Sequence, residues 1–205
     1  MATGNILYFV KYPEPGKVKT RLAKTLGDEE ATRVYRNLVE TNLKAIRPLI
    51  SSGIDITITF DPPDAAEKMK QWLSDDYDYL PQSGDGLGER LTKAFGNLFE
   101  RKVRRVLAVG SDTLGLEANL ILKACDSLEH FDVVLGPAED GGYYLIGLSQ
   151  PEPILFQDIP WSTSAVFDST LNRIKQKGLS FYVLPELQDL DDIEDLKRAR
   201  SFLFD

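Results

Sequence analysis

A chain of 205 residues, 42% hydrophobic and 27% charged, carries enough apolar material for one sizeable core and has an ordinary globular composition. Its formal net charge of −8 argues against nucleic-acid and membrane-surface partners, and a single cysteine (Cys125) with a single histidine (His130) excludes a disulfide framework or a Cys- or His-built metal site. No run is long enough for a transmembrane helix, and MATGNILYFV has no basic leader before its apolar stretch, so one cytoplasmic domain over residues 1–205 is expected.

Asn5–Val10 (NILYFV) is a continuous apolar run, the pattern of a central strand. Two prolines and a glycine in Lys11–Arg21 (KYPEPGKVKTR) prevent a helix through residue 16 and leave a loop. Lys11, Lys17, Lys19 and Arg21 make this loop basic in an acidic chain, a suitable cradle for a triphosphate. It is not a Walker loop, because the glycine-to-lysine spacing differs, and the alternative is a solvated loop whose cations balance nearby acids. A helix is expected from Asp28, as its N-cap, to about Leu49, with Ala31, Val34, Tyr35, Leu38, Val39, Leu43 and Ile46 facing the sheet. Ile54–Phe60 follows as a strand, Pro62-Pro63-Asp64 opens a short helix, and Tyr77–Leu80 makes a brief strand.

Gln82–Arg90 (QSGDGLGER) places Gly84, Gly86 and Gly88 around Asp85, which serves either a ligand loop or a plain turn into a helix over Leu87–Arg101. Arg104–Val109 is a short buried strand ending in Gly110-Ser111-Asp112, which sets a carboxylate just past its carboxyl end, where open α/β sheets bind ligands. Such a carboxylate suits Mg²⁺ on a phosphate, whereas the bland alternative is an Asp that caps the helix near Glu117. Phe131–Leu135 and Leu145–Leu148 flank GPAEDGGYY, a hairpin signal whose glycines also let an anion approach the backbone. Trp161-Ser162-Thr163-Ser164 either caps a helix over Ala165–Lys177 or presents hydroxyls to an acceptor. Leu179–Leu184 is the last strand; beyond it Asp189 and Asp191, two apart in an extended segment, point the same way and could share a divalent cation, while Asp192 or Asp195 suits the first turn of a helix.

KYPEPGKVKTRL, QSGDGLGER, VGSDTLGL, GPAEDGGYYLIGL, PWSTS and DLDDIEDL, in this order, resemble a bacterial and archaeal glycosyltransferase-like family. The resemblance implies the glycosyltransferase-A, nucleotide-diphospho-sugar transferase fold: a three-layer α/β/α domain with a mostly parallel central sheet. The motifs are more distantly similar to guanylyltransferases that activate 2-phospholactate or phosphoenolpyruvate, and to molybdopterin nucleotidyltransferases. That similarity implies a nucleoside triphosphate held by Gly16, Lys19 and Arg21 with Lys11 beside them, and a metal, Mg²⁺ or Mn²⁺, on Asp112, Asp189 and Asp191. Gln82, Gly86 and Gly88 fall near the base or ribose, and Asp140, Gly141, Gly142, Tyr143, Trp161 and Ser162 near a small-molecule acceptor. Thr113-Leu114 replaces the family's proline-containing pair, and Tyr143 stands where the guanylyltransferases have threonine.

The expected reaction is nucleotidyl transfer from a nucleoside triphosphate, with Lys19, Arg21 and Asp112 as the acting groups. The alternatives are glycosyl transfer from a nucleotide-sugar and a nucleotide-binding protein without turnover. Cys125 and His130 sit in no motif and are expected to be structural; a homodimer is compatible with the chain but marked by no segment.

Overall fold

Short apolar runs such as Ile6–Tyr8 and Val106–Val109, buried without alternation, need cover on both faces of a sheet, and helices supply it. The computed structural model describes residues 4–199. The strands are β1 (Gly4–Lys11), β2 (Ile54–Asp61), β3 (Asp78–Pro81), β4 (Val106–Gly110), β5 (Val133–Pro137), β6 (Tyr143–Leu148) and β7 (Phe181–Val183). They form one sheet in the order β3-β2-β1-β4-β6-β5-β7, in which only β6 runs antiparallel to its neighbours. The helices are α1 (Thr20–Leu26), α2 (Asp28–Ile46), α3 (Ala66–Leu73), α4 (Leu87–Glu100), α5 (Ala118–Ser127), α6 (Val166–Gln176) and α7 (Ile193–Arg198).

Residues of α2, α3 and α5 pack with Ile6, Tyr8 and Val10 of β1 on one face, whereas α4 and α6 pack with Leu7 on the other. This is the expected three-layer α/β/α arrangement around a mostly parallel sheet. A third apolar cluster joins Leu22 of α1 and Val34 and Leu38 of α2 to Leu190 and Leu196. It anchors the acidic C-terminal segment beside the loop that follows β1.

The predicted elements are all present, with shifted ends. Asp28 is the first residue of α2, not its cap: Gly27 occupies the N-cap, and Asp28 instead places a charge in a first turn that also holds Glu29 and Glu30. The helix stops at Ile46 because Pro48 follows, and the chain continues as a 3₁₀ turn over Arg47–Ser52. Pro62-Pro63-Asp64 forms a turn, and α3 starts only at Ala66. The Ser/Thr cluster does not cap α6; Ala165 is the N-cap, and Thr163 Oγ1 accepts only the Ala165 N–H, at 3.3 Å. Asp192 and Asp195, in contrast, form a reciprocal capping box on α7.

β5 and β6 form the hairpin signalled by Asp-Gly-Gly, with a register shift at Gly136/Pro137. Its tip is a packing device: Gly141 has φ +85°, its carbonyl accepts the Phe167 N–H at 2.9 Å, and an added Cβ would run into the Ser164 backbone. Gly141→Ala is therefore expected to destabilise the fold by about 2–4 kcal/mol, read by denaturant unfolding, because it combines left-handed strain with overpacking. Loss of less than about 1 kcal/mol would show that the tip can move away from α6.

Candidate active site

The loops that leave the carboxyl ends of β1, β3 and β4 enclose an open cavity of about 600 Å³. Lys11, Lys17, Lys19, Arg21 and Arg90 line it, against two carboxylates, Asp112 and Asp191. In a chain of net charge −8 this is a local reversal of sign, the footprint of a site for a polyanion. Phe9, Val10, Val18 and Leu87 supply apolar wall, and Leu87 is unusually exposed for a leucine, at 43%.

Lys19 is the centre of the site. It adopts a left-handed conformation (φ 46°, ψ 45°) immediately before α1, which turns its side chain inward to only 5% exposure. Its ammonium lies 3.0 Å from Asp112 Oδ1 and 3.4 Å from Asp191 Oδ1. Burial pulls the Lys19 pKa down, but Asp112, Asp191 and Asp189 more than offset it, so the ammonium titrates above its ordinary value. Arg21 Nη1 donates to the other oxygen of Asp191 at 3.2 Å from an exposed position.

Asp189 has a different environment. Thr113 and Asp189 form an isolated antiparallel bridge, and the Thr113 hydroxyl donates to Asp189 Oδ1 at 2.9 Å. Burial, reinforced by the charges of Asp112 and Asp140 and opposed by the Thr113 hydrogen bond and Lys19, pushes its carboxyl up to about 6. The expected grouping of Asp112, Asp189 and Asp191 as three converging ligands does not assemble: among the described residues no three His, Cys, Asp or Glu side chains are placed to hold a metal ion. Asp189 and Asp191 are two apart, the spacing that puts side chains on one side of an extended strap. What separates them is partners, Thr113 for one and Lys19 with Arg21 for the other.

The remaining predicted residues divide between the cavity and its surroundings. Ser162, at φ 63°, lines the wall. Gln82 lines it too, but its amide donates to the Thr59 carbonyl at 2.8 Å and its oxygen accepts from Arg90 at 3.2 Å, so it also holds Arg90 in place. Gly16 (φ +76°) shapes the loop beside Asp28 without lining the cavity. Gly86 and Gly88 lie outside it, along a neighbouring hollow that includes Trp161. Gly88 is a close-packing glycine, since an added Cβ would sit 2.5 Å from the Phe156 carbonyl and 2.8 Å from Trp161 Nε1. Asp140 accepts the Gly142 N–H at 2.8 Å within the hairpin tip, and none of Asp140, Gly141, Gly142 or Tyr143 lines the cavity. Tyr143 packs edge-on against Trp161, with its hydroxyl buried, so it cannot offer that oxygen to an acceptor.

Sequence reasoning sets the Gln82–Arg90 loop near the base or ribose without singling out Arg90 or Leu87, and misses Tyr35 as a wall residue. Arg90 and Leu87 stood inside a quoted motif, but their direction depends on the pitch of α4. Tyr35 was counted in the apolar stripe of α2, and nothing local signals that its hydroxyl reaches the ends of two strands.

The sheet order and the helices on both of its faces define the class, an α/β protein with the nucleotide-diphospho-sugar transferase fold. Residues 47–163 match the family described as "Uncharacterized protein conserved in bacteria (DUF2064)", and the chain belongs to that family. It is similar to a solved protein from Desulfovibrio desulfuricans G20 assigned as a nucleotide-diphospho-sugar transferase, at 38% identity and a TM-score of 0.91, over 96% of this chain and 85% of that one. At the level of fold alone it is similar to CMP:2-keto-3-deoxy-manno-octonic acid synthetase complexed with CTP (10% identity, TM-score 0.59, 98% of each chain). The same holds for the inositol-1-phosphate CTP transferase from T. maritima (13% identity, TM-score 0.57, 98% of this chain and 94% of that one). No curated protein matches the chain. No described helix is long and apolar enough to cross a membrane.

Proposed function

We propose that this chain is a Mg²⁺-dependent nucleotidyltransferase that moves a nucleotidyl group from a nucleoside triphosphate to a small acceptor and releases pyrophosphate. The observation that carries the reading is the buried Lys19 ammonium, bridging two carboxylates in a cavity that four further cations line. Lys11, Lys17, Lys19, Arg21 and Arg90 bind and orient the phosphates, and Arg21 can grip two oxygens at once where a lysine grips one. Phe9, Val10 and Leu87 offer apolar contact to a base, next to Gln82. An acceptor oxygen attacks the α-phosphorus in line, and Lys19 and Arg21 neutralise charge as pyrophosphate leaves.

The donor set fits a small hard cation. Asp112 and Asp191 present carboxylate oxygens to the cavity at 50% and 39% exposure, and one positive charge already binds between them. Mg²⁺ commonly takes one or two protein carboxylates and completes its shell with substrate phosphates and water, so three converging ligands are not required. Asp112 and Asp191 would hold it, and when bound it supplies charge neutralisation on the phosphates. Ser162 is the acceptor-side residue at the cavity wall; the hairpin tip serves that side only indirectly, through its contact with α6. Glycosyl transfer is the second reading, favoured by the name borne by the 38% identical relative.

Thermal unfolding with ATP, GTP, CTP, UTP and a panel of nucleotide-sugars, each with and without Mg²⁺, separates these readings. A ligand at a hundredfold excess over Kd stabilises the native state by about 2.7 kcal/mol. The expected result is a Mg²⁺-dependent shift with one triphosphate, lost in Asp112→Asn, followed by pyrophosphate release with an acceptor. A shift confined to nucleotide-sugars would replace the proposal with glycosyl transfer, and no shift in folded protein would leave a fold without a donor site.

A further inference from the structure

Three polar side chains of α2 are buried among its apolar ones. Thr32 bonds back to the Asp28 carbonyl of its own helix, whereas Tyr35 and Asn42 bond outside it, and neither of these two is one of the cavity's cations or carboxylates. Tyr35 and Asn42 stand seven residues apart, close to two helical turns, and so project from one face. That face meets the carboxyl ends of both β1 and β4. The Tyr35 hydroxyl accepts the Lys11 N–H at 2.9 Å, donates to the Lys11 carbonyl at 3.2 Å, and lies 3.3 Å from Ser111 Oγ. Asn42, with no solvent exposure, donates from Nδ2 to the Thr113 carbonyl at 2.8 Å and lies 3.5 Å from the Ser111 carbonyl. The two carbonyls are those of the residues on either side of Asp112.

Asn42 Oδ1 has no hydrogen-bond partner among the described residues, so the amide is held in an apolar face with one of its groups unpaired. Leucine would fill a similar volume without that cost; the polar groups the amide meets are the carbonyls of the turn, at 2.8 Å for Thr113, and the buried Tyr8 phenol. Burial, and then the Asp112 charge, hold the Tyr35 phenol well above its ordinary range, so it remains a neutral donor at working pH.

We propose that Tyr35 and Asn42 are positioning residues: one face of α2 ties the end of β1 to the Ser111–Thr113 turn and fixes the backbone from which Asp112 presents its carboxylate. The inference rests on the reading of Asp112 as the carboxylate that couples Mg²⁺ to a bound triphosphate. Partners that orient metal-binding groups without touching the metal typically change metal affinity by about 10–100-fold when removed.

Calorimetric titration of wild type, Tyr35→Phe and Asn42→Leu with ATP, GTP, CTP and UTP, in EDTA and in Mg²⁺, tests it. Asn42 neither lines the cavity nor bonds one of its cations, so for Asn42→Leu affinity in EDTA is expected to stay within about twofold of wild type. Tyr35→Phe, which also frees the Lys11 backbone, is expected to lose some affinity in EDTA and is read by its own ratio of affinities with and without Mg²⁺. The gain on adding Mg²⁺ is expected to fall by about 10-fold or more. An equal loss in EDTA and in Mg²⁺ would mark general loosening and overturn the inference, as would a full Mg²⁺ gain in both variants. If wild type itself shows no Mg²⁺ gain with any triphosphate, the functional reading fails and the inference falls with it. Should Asn42→Leu not fold, Tyr35→Phe, which keeps the ring in the wall, decides the matter alone.

Discussion

Lys19→Met is expected to lower the rate of nucleotidyl transfer by about 10²–10³-fold, the cost of removing one preorganised charge donor from a developing anion. Methionine keeps the length and apolar stem of the side chain and pays the same left-handed backbone penalty at φ 46°, so the comparison isolates the charge. The stability cost is expected to be smaller, on the order of 1 kcal/mol. Asp112 and Asp191 are 50% and 39% exposed, and water screens them once the ammonium is gone. A second consequence follows from the same geometry. In wild type the ammonium neutralises the two carboxylates; in Lys19→Met they are left for a divalent cation. Mg²⁺ without nucleotide should therefore raise the melting temperature of the variant more than that of wild type. Steady-state kinetics and thermal unfolding check the two halves separately. A rate within twofold of wild type would remove Lys19 from the mechanism.

Asp189→Asn is expected to stabilise the protein at pH 8, in EDTA, by about 1–3 kcal/mol, and to make little difference at pH 4. The folded carboxyl titrates at about 6, above the ordinary aspartate value of about 3.9 that the unfolded chain would show. Between these values the native state holds the extra proton. Wild-type stability therefore falls as pH rises from about 4 to about 6 and stays lower above that, because an ionised Asp189 is buried near Asp112 and Asp140. Asparagine cannot ionise and still offers an oxygen to the Thr113 hydroxyl, so the pH-dependent loss disappears. Urea unfolding at the two pH values is the measurement, and an equal difference at both would mean that the charge of Asp189 is not its source. With Mg²⁺ and triphosphate present, the affinity of the same variant also reports whether Asp189 contributes to the cation site proposed on Asp112 and Asp191.

The contrast between Asp191, paired with Lys19 and Arg21, and Asp189, paired with Thr113, illustrates what local sequence can reveal. Apolar periodicity and Gly/Pro punctuation are short-range signals, and they located the strands, the buried stripe of α2 and the loop after β1. A carboxylate after Val106–Gly110 was legible for the same reason, since a strand's end and a polar residue beyond it need only a few residues of context. The antiparallel insertion of β6 between β4 and β5 was not legible, because strand order depends on which edge accepts the hairpin. Gly88 and Gly141 were read as ligand-side glycines, whereas their reasons are contacts with Phe156 and Ser164, far along the chain.

By itself, then, the sequence determined the α/β/α class, the elements, and a cation-rich loop paired with an aspartate at a strand end. Only the tertiary structure decided that Lys19 reaches 172 residues along the chain to Asp191 and that Asp189 turns instead to Thr113. It also decided that two members of a core-facing stripe, Tyr35 and Asn42, grip the turn that carries Asp112. The physical reason is that hydrophobic patterning specifies which face of an element leaves water, while the partner that a buried polar group meets is set by how distant segments pack.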